Sequence, residues 1–196
     1  MRKIPGKTLI LIAVLVTVTL VLLGVAIWTG GGNKPAMTSI PTAPTIVKTA
    51  TIAFAPPLLD LSLPSSSSAT VDIITKTGGA TPLTGAQVDI TYDPTVVTNV
   101  KVLPPLATNS LFGPVGNYVT LFSDINTPGK ITFAVAMNPN GTPVTGAGSI
   151  GQISFSVIRG VKSQTQMTFG ARTLVTSKIT PDSVLKSTTP LTIKIQ

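Results

Sequence analysis

The side chains able to do acid–base or metal chemistry are few in this 196-residue chain. Its six carboxylates are all aspartates, and it has no Glu, no His and no Cys. That inventory excludes the Ser-His-Asp and Cys-His nucleophile systems and nearly all transition-metal sites. Asp89 and Asp93 lie four apart, on a strand and on the turn that ends it, so their side chains need not converge. A glycosidase needs two carboxyls roughly 5–10 Å apart, one of them held protonated, and nothing in the spacing supplies that. Asp89 reads as a solvated strand residue and Asp93 as a turn cap. Asp124-Ile125-Asn126-Thr127-Pro128-Gly129 has a faint likeness to a calcium loop, but Pro128 occupies the place of the third ligand and no Glu follows. A hairpin turn explains it better. Asn140-Gly141-Thr142 matches a glycosylation acceptor, although Asn-Gly is also a hairpin signal and that reading is preferred. The expectation is no catalysis, no metal and no cofactor.

Charge narrows the partners. Fourteen basic residues against six acidic give +8. Without Arg2, Lys3 and Lys7, eleven bases face six acids, a net of +5. These charges are scattered singly with few aromatics between them, which argues against nucleic acid as a partner. Without Cys there are no disulfides, so a core must stabilise the fold alone.

The elements that would position any site are strands. In Gly85–Pro94, Ala86, Val88, Ile90 and Tyr92 alternate with Gln87, Asp89 and Thr91, the period-two pattern of a half-buried strand, and Asp93-Pro94 stops it. Similar runs are Thr51–Ala55, Ala69–Lys76, Thr84–Tyr92, Asn99–Leu103, Asn117–Ser123, Lys130–Met137, Ser149–Arg159, Gln164–Phe169, Thr173–Ser177 and Pro190–Ile195. Turn signals separate them, the spacing of an all-β sandwich. Alternation sends Val71, Ile73, Val88, Ile90, Tyr92, Ile131, Phe133, Val135, Ile153, Phe155, Val157, Met167, Phe169, Leu191, Ile193 and Ile195 inward. Thr132, Ala134, Ala136, Gln152, Ser154 and Ser156 should point outward.

Ahead of the strands, residues 1–7 are basic and Thr8 to Trp28 carries no charge. As a helix that span is about 31 Å long, enough to cross a bilayer. Arg2, Lys3 and Lys7 place the N-terminus in the cytoplasm and the rest outside. A cleaved signal peptide would have a shorter apolar run and a small-x-small site, which Ile27-Trp28 spoils. A pilin-like leader fits loosely at Gly6, but Leu11 stands where pilins carry a Glu, and Gly30-Gly31-Gly32 would break their continuous helix. Residues 29–49, with those glycines and Pro35, Pro41 and Pro44, read as an extended tether. The division is thus 1–7 cytoplasmic, 8–28 transmembrane, 29–49 linker and 50–196 domain.

Several segments in order carry a resemblance. They are Ala69-Thr70-Val71-Asp72-Ile73-Ile74, Gln87-Val88-Asp89-Ile90-Thr91-Tyr92-Asp93-Pro94 with Val100-Lys101-Val102, and Gly129-Lys130-Ile131-Thr132-Phe133-Ala134-Val135. Gly148–Val157, Gln166-Met167-Thr168-Phe169 and Leu191-Thr192-Ile193-Lys194-Ile195 follow. From Thr70 to Gln196 the sequence resembles the cohesin family. The resemblance implies a nine-stranded jelly-roll β-sandwich, related to carbohydrate-binding modules, that captures a dockerin partner on one sheet face. Where well-studied members carry an Asn and an Asp toward that partner, this chain has Gly85 and Gln87. Where they present bulkier apolar residues on the next strand, it has Thr132, Ala134 and Ala136.

The candidate partner-binding residues are therefore Gly85, Gln87, Asp89, Thr91, Ile125, Thr132, Ala134 and Ala136. The bland reading of the same polar face is a solvated sheet. Tyr118 and Phe122 border it and would supply aromatic surface or core packing. The expected function is a membrane-anchored, outward-facing, non-catalytic module that binds a dockerin-like protein or a surface polysaccharide. The alternative is a structural subunit of a surface filament or coat, pilin-like or S-layer-like.

Overall fold

Alternation governs what the chain builds. In the computed structural model, which describes residues 15–22, 47–61, 68–79 and 81–195, the apolar members of each alternating run meet in one core. Among the described residues there are twelve strands: β1 Ala50–Ala55, β2 Leu58–Leu61, β3 Ser68–Lys76, β4 Leu83–Thr91, β5 Val97–Leu103, β6 Tyr118–Asp124, β7 Lys130–Met137, β8 Ala147–Val157, β9 Gln164–Phe169, β10 Leu174–Ser177, β11 Leu185–Thr189 and β12 Leu191–Ile195. They form two sheets, in the orders β11-β1-β3-β8-β5 and β2-β12-β9-β4-β7-β6, with β10 also paired to β4.

The expected nine strands thus become twelve: proline breaks add two, and β10, which pairs with β4 off the main path of its sheet, is the third. Pro56-Pro57 interrupts the first long strand, so β1 lies in one sheet and β2 in the other. Pro190 does the same between β11 and β12. Proline removes a ladder donor, which makes it the natural place for a strand to change sheets. The two broken strands run side by side: β1 pairs parallel with β11, and β2 pairs parallel with β12. Thr192 N–H donates to Pro57 O at 2.9 Å across the step.

The core holds the residues that alternation sends inward. Val71, Ile73, Val88, Ile90, Ile131, Phe133, Val135, Ile153, Phe155, Val157, Met167, Leu191, Ile193 and Ile195 are buried. Tyr92 and Phe169 are only half-buried and pack on the margin of the core, where Phe169 stacks on Phe54 with ring centroids 4.6 Å apart. At roughly 25 cal/mol per Å² of apolar surface, such a core can stabilise the domain without disulfides.

The chain divides into two compact units, Met1–Pro44 and Thr45–Gln196. In the first, Leu15–Leu22 is helical. Most of the apolar span expected at 8–28, and nearly all of the tether at 29–49, lie outside the described residues. Among the described residues no helix is long and apolar enough to cross a membrane.

Candidate partner-binding face

Register places the candidate residues together. β4 and β7 pair antiparallel with Gly85 opposite Ala136, Gln87 opposite Ala134, Asp89 opposite Thr132 and Thr91 opposite Lys130. Each alternates with a core residue, so these rows share the outer face of the sheet. Ile125 follows β6 and is exposed.

Asp89 is not the solvated residue that alternation alone suggests; it is 7% exposed. Here β4 changes neighbours. Thr91 pairs with Thr168 of β9, whereas Gln87 pairs with Leu174 of β10, so the loop 170–173 crosses over Asp89. That loop fills the gap in the ladder. Gly170 N–H donates to Asp89 O at 2.7 Å. The Thr173 hydroxyl accepts from Asp89 N–H at 3.2 Å and lies 3.1 Å from Asp89 O, to which it donates. On the carboxylate, Arg172 Nη2 donates to Oδ1 at 3.0 Å and Nε to Oδ2 at 3.4 Å, and Thr132 Oγ1 donates to Oδ1 at 3.0 Å. Burial pushes the Asp89 carboxyl up, but these hydrogen bonds and the charges of Arg172 and Lys130 outweigh it and hold it below the usual range. The exposed group at this spot is the Arg172 side chain, not the carboxylate.

Gly85 has a structural reason to be glycine. A Cβ there would sit 2.8 Å from Val135 O and 3.1 Å from Thr176 Oγ1, so no side chain fits between β7 and β10. Gln87 turns its amide to the loop, donating to Arg172 O at 3.2 Å. Thr91 shares a 2.8 Å hydroxyl contact with Thr168. Ala134, although on the outer face, is buried in the row between Gln87 and Phe122. Thr132 and Ala136 are half-buried.

The apolar anchors missing from β7 are on β6 and at the residue that follows it. Val119, Leu121, Phe122 and Ile125 are 42%, 61%, 43% and 38% exposed. A register shift between Thr120 and Phe122 leaves Leu121 without a partner, so Val119 opposite Ala136 and Phe122 opposite Ala134 fall on the same outer face. Thr120 and Ser123 turn to the other side. They line a recess of about 100 Å³ with Val102, Leu103, Pro104 and Pro105, floored by Phe133, Val135 and Ile150. Phe122 alone of the described aromatics is exposed, while Tyr118 is half-buried and tilts against Phe112 at 6.2 Å. Contiguous apolar exposure on a sheet face marks an interaction surface more often than a solvated one.

The remaining motifs are turns. Asp93 Oδ1 accepts from Thr95 N–H at 3.0 Å and from its hydroxyl at 2.6 Å. Asp124 Oδ1 accepts from Asn126 N–H at 3.0 Å in the β6–β7 hairpin. Gly141 N–H donates to Asn138 O at 2.8 Å, so Asn138–Gly141 is a four-residue turn inside the β7–β8 connection. Neither Asn140 nor Gly141 has the positive φ of an Asn-Gly hairpin turn. Pro139 is the reason: its fixed φ sets the second position of the turn one residue earlier than Asn-Gly would.

Comparison with solved structures identifies the class of fold, which is that of a cohesin module. The cohesin CaCohA2 from Clostridium acetobutylicum is similar over 76% of this chain and 92% of its own, with 19% identity and a TM-score of 0.56. A cohesin in a type I cohesin–dockerin complex from Clostridium thermocellum matches over 79% of this chain and 97% of its own, at 11% identity and a TM-score of 0.59. A non-cellulosomal cohesin from the archaeon Archaeoglobus fulgidus matches over 76% and 91%, at 15% identity and a TM-score of 0.52. No family model matches the chain, and no curated protein is found to be similar.

Proposed function

We propose that the chain is a binding module, not an enzyme, and that the outer face of β4, β7 and β6 takes a dockerin-like protein partner. The observation that carries this reading is the row of exposed apolar side chains on β6 and just after it, Val119, Leu121, Phe122 and Ile125, beside a hydrogen-bonded Asp89–Arg172 cluster. A few large anchors surrounded by satisfied polar groups is the arrangement from which association energy usually comes. Two of the similar folds were solved as cohesin–dockerin complexes. In this reading residues 8–28 anchor the chain in a membrane, 29–49 tether it, and the sandwich faces outward.

Titration calorimetry of the full chain against a panel of dockerin modules tests it. Phe122→Ala should weaken a binder about tenfold or more, since hot-spot truncations cost upward of about 1–2 kcal/mol. Binding that survives the loss of Phe122 and Leu121 together would place the partner elsewhere, and hydrolysis of a polysaccharide by the chain would overturn the non-catalytic reading.

A further inference from the structure

The β5–β6 and β7–β8 connections close around a cleft. Its main recess, about 560 Å³, lies between residues 110–117 and 137–144. Two smaller recesses, of about 400 and 270 Å³, continue it around the 138–141 turn and share residues with it. The first falls within the range of about 300–1,000 Å³ usual for small-molecule sites. The two connections are tied to each other: Asn138 N–H donates to Asn117 O at 3.0 Å, and Asn138 Nδ2 donates to Gly116 O. None of the eight candidate partner-binding residues lines the cleft.

No charged residue borders the two larger recesses, and Lys178 enters only at the third. The backbone around the cleft is spent internally. Gly113 N–H donates to Ser110 O at 3.3 Å, Asn117 N–H to Pro114 O at 3.1 Å, Gly141 N–H to Asn138 O at 2.8 Å and Val144 N–H to Leu83 O at 3.1 Å. An extended peptide, held chiefly by backbone pairing, finds little to hold here. The side chains are the reverse. Asn117, Asn140 and Thr142 are exposed, and their amides and hydroxyl have no partner among the described residues. Ser110, which also lines the main recess, keeps a buried hydroxyl with no partner among the described residues. Such a group costs stability in the free protein. Leu111, Phe112, Met137 and Val144 complete the lining with an apolar wall. We propose that this cleft binds an uncharged saccharide chain. A sugar hydroxyl both donates and accepts, and the amides and hydroxyls here offer both in return. The C–H faces of sugar rings suit the apolar wall. A lining without charge offers no counter-ion to a phosphate or a carboxylate, and linked recesses suit a chain better than a single ring.

The full-length chain, isotope-labelled and held in a detergent without a sugar headgroup, is titrated with cellotetraose, xylotetraose, mannotetraose and chitotetraose while its backbone amides are followed by NMR. Tetragalacturonate is the anionic comparison, at about 0.15 M salt to screen its attraction to the +8 charge of the chain. At least one neutral probe should shift amides within 110–117 and 137–144 and leave Gln87 and Thr132 in place. Asn117→Ala with Asn140→Ala should weaken that probe about tenfold, the size of one or two lost hydrogen bonds. Their side chains bond to nothing among the described residues, so the melting temperature should not change. Tetragalacturonate should bind severalfold more weakly. Shifts confined to other segments, a double variant that binds as well as the parent, or an anion that binds equally well overturns the proposal. So does the absence of any shift with all the neutral probes. Dockerin titration reports on the partner face independently, because the cleft shares none of its candidate residues.

Discussion

At the scale of single residues, two of the candidate positions are explained by the fold rather than by a partner. Gly85 sits where a Cβ would meet Val135 O at 2.8 Å, a backbone atom that cannot yield cheaply. Gly85→Asn, which would supply the side chain that dockerin-binding relatives are expected to carry there, should therefore destabilise the chain by about 1–3 kcal/mol. Thermal melting checks it, and an unchanged melting temperature would mean that β10 can move aside. Asp93 behaves differently. The hydrogen bond from Lys162, with those from Thr95, lowers its carboxyl from 3.8 to about 2. A depressed folded-state value means that the unfolded chain binds the proton first. The stabilisation is complete above pH 4 and is lost as pH falls through 2. Asp93→Asn should flatten the melting temperature between pH 4 and 2, read by circular dichroism. Asp89, whose carboxyl is also lowered, adds a slope of the same sign.

At the scale of elements, the ladder gap at Asp89 is closed by one side chain and one backbone N–H. Thr173 is 8% exposed, and its hydroxyl serves both the N–H and the C=O of Asp89. Thr173→Val keeps the shape but takes the partner of the Asp89 N–H away, while Asp89 O keeps the Gly170 N–H, at a cost of about 1–3 kcal/mol. Hydrogen exchange at the Asp89 amide should accelerate more than at Val88, which lies within the paired ladder; equal protection would show that the loop holds β4 without the hydroxyl. The same elements show what alternation could reveal. β4, β7, β8 and β9 were legible because each keeps period two between a core and an outer face over most of its length, β4 beyond Thr84 and β8 beyond the shift at Ile150. β2 was not, because four residues after Pro56-Pro57 are too few to show a period. β11, Leu-Lys-Ser-Thr-Thr, has only one apolar residue, because an edge strand needs none to hold its hydrogen bonds. On β6 the shift at Leu121 breaks the period, so Val119 and Phe122, three apart in sequence, share a face that simple alternation would split. Arg172 gives no local signal, since the carboxylate it covers is 83 residues away.

At the scale of the whole molecule, the core closes within Thr45–Gln196. Its first strand matters far more than its length suggests. Ile52 and Phe54 are 0% and 1% exposed, and β1 joins the edge strand β11 to β3. Just before it, Thr49 N–H donates to Val184 O at 2.9 Å and Thr49 Oγ1 donates to Thr81 Oγ1 at 2.9 Å. The boundary of the folding unit therefore falls ahead of Thr49, not at Ala50 where the strand pattern begins. A fragment starting at Val47 should melt within a few degrees of the full chain. One starting at Pro56 loses the Phe54–Phe169 stack and leaves β11 with no neighbour. Loss of a buried Phe alone costs about 3–5 kcal/mol, comparable to the total stability of many domains, so that fragment should be unfolded at 25 °C. Far-ultraviolet circular dichroism of the two fragments decides it: a sheet spectrum with a cooperative melt from the shorter one would mean that β1 is an appendage, and that β3 and β12 close the core without it.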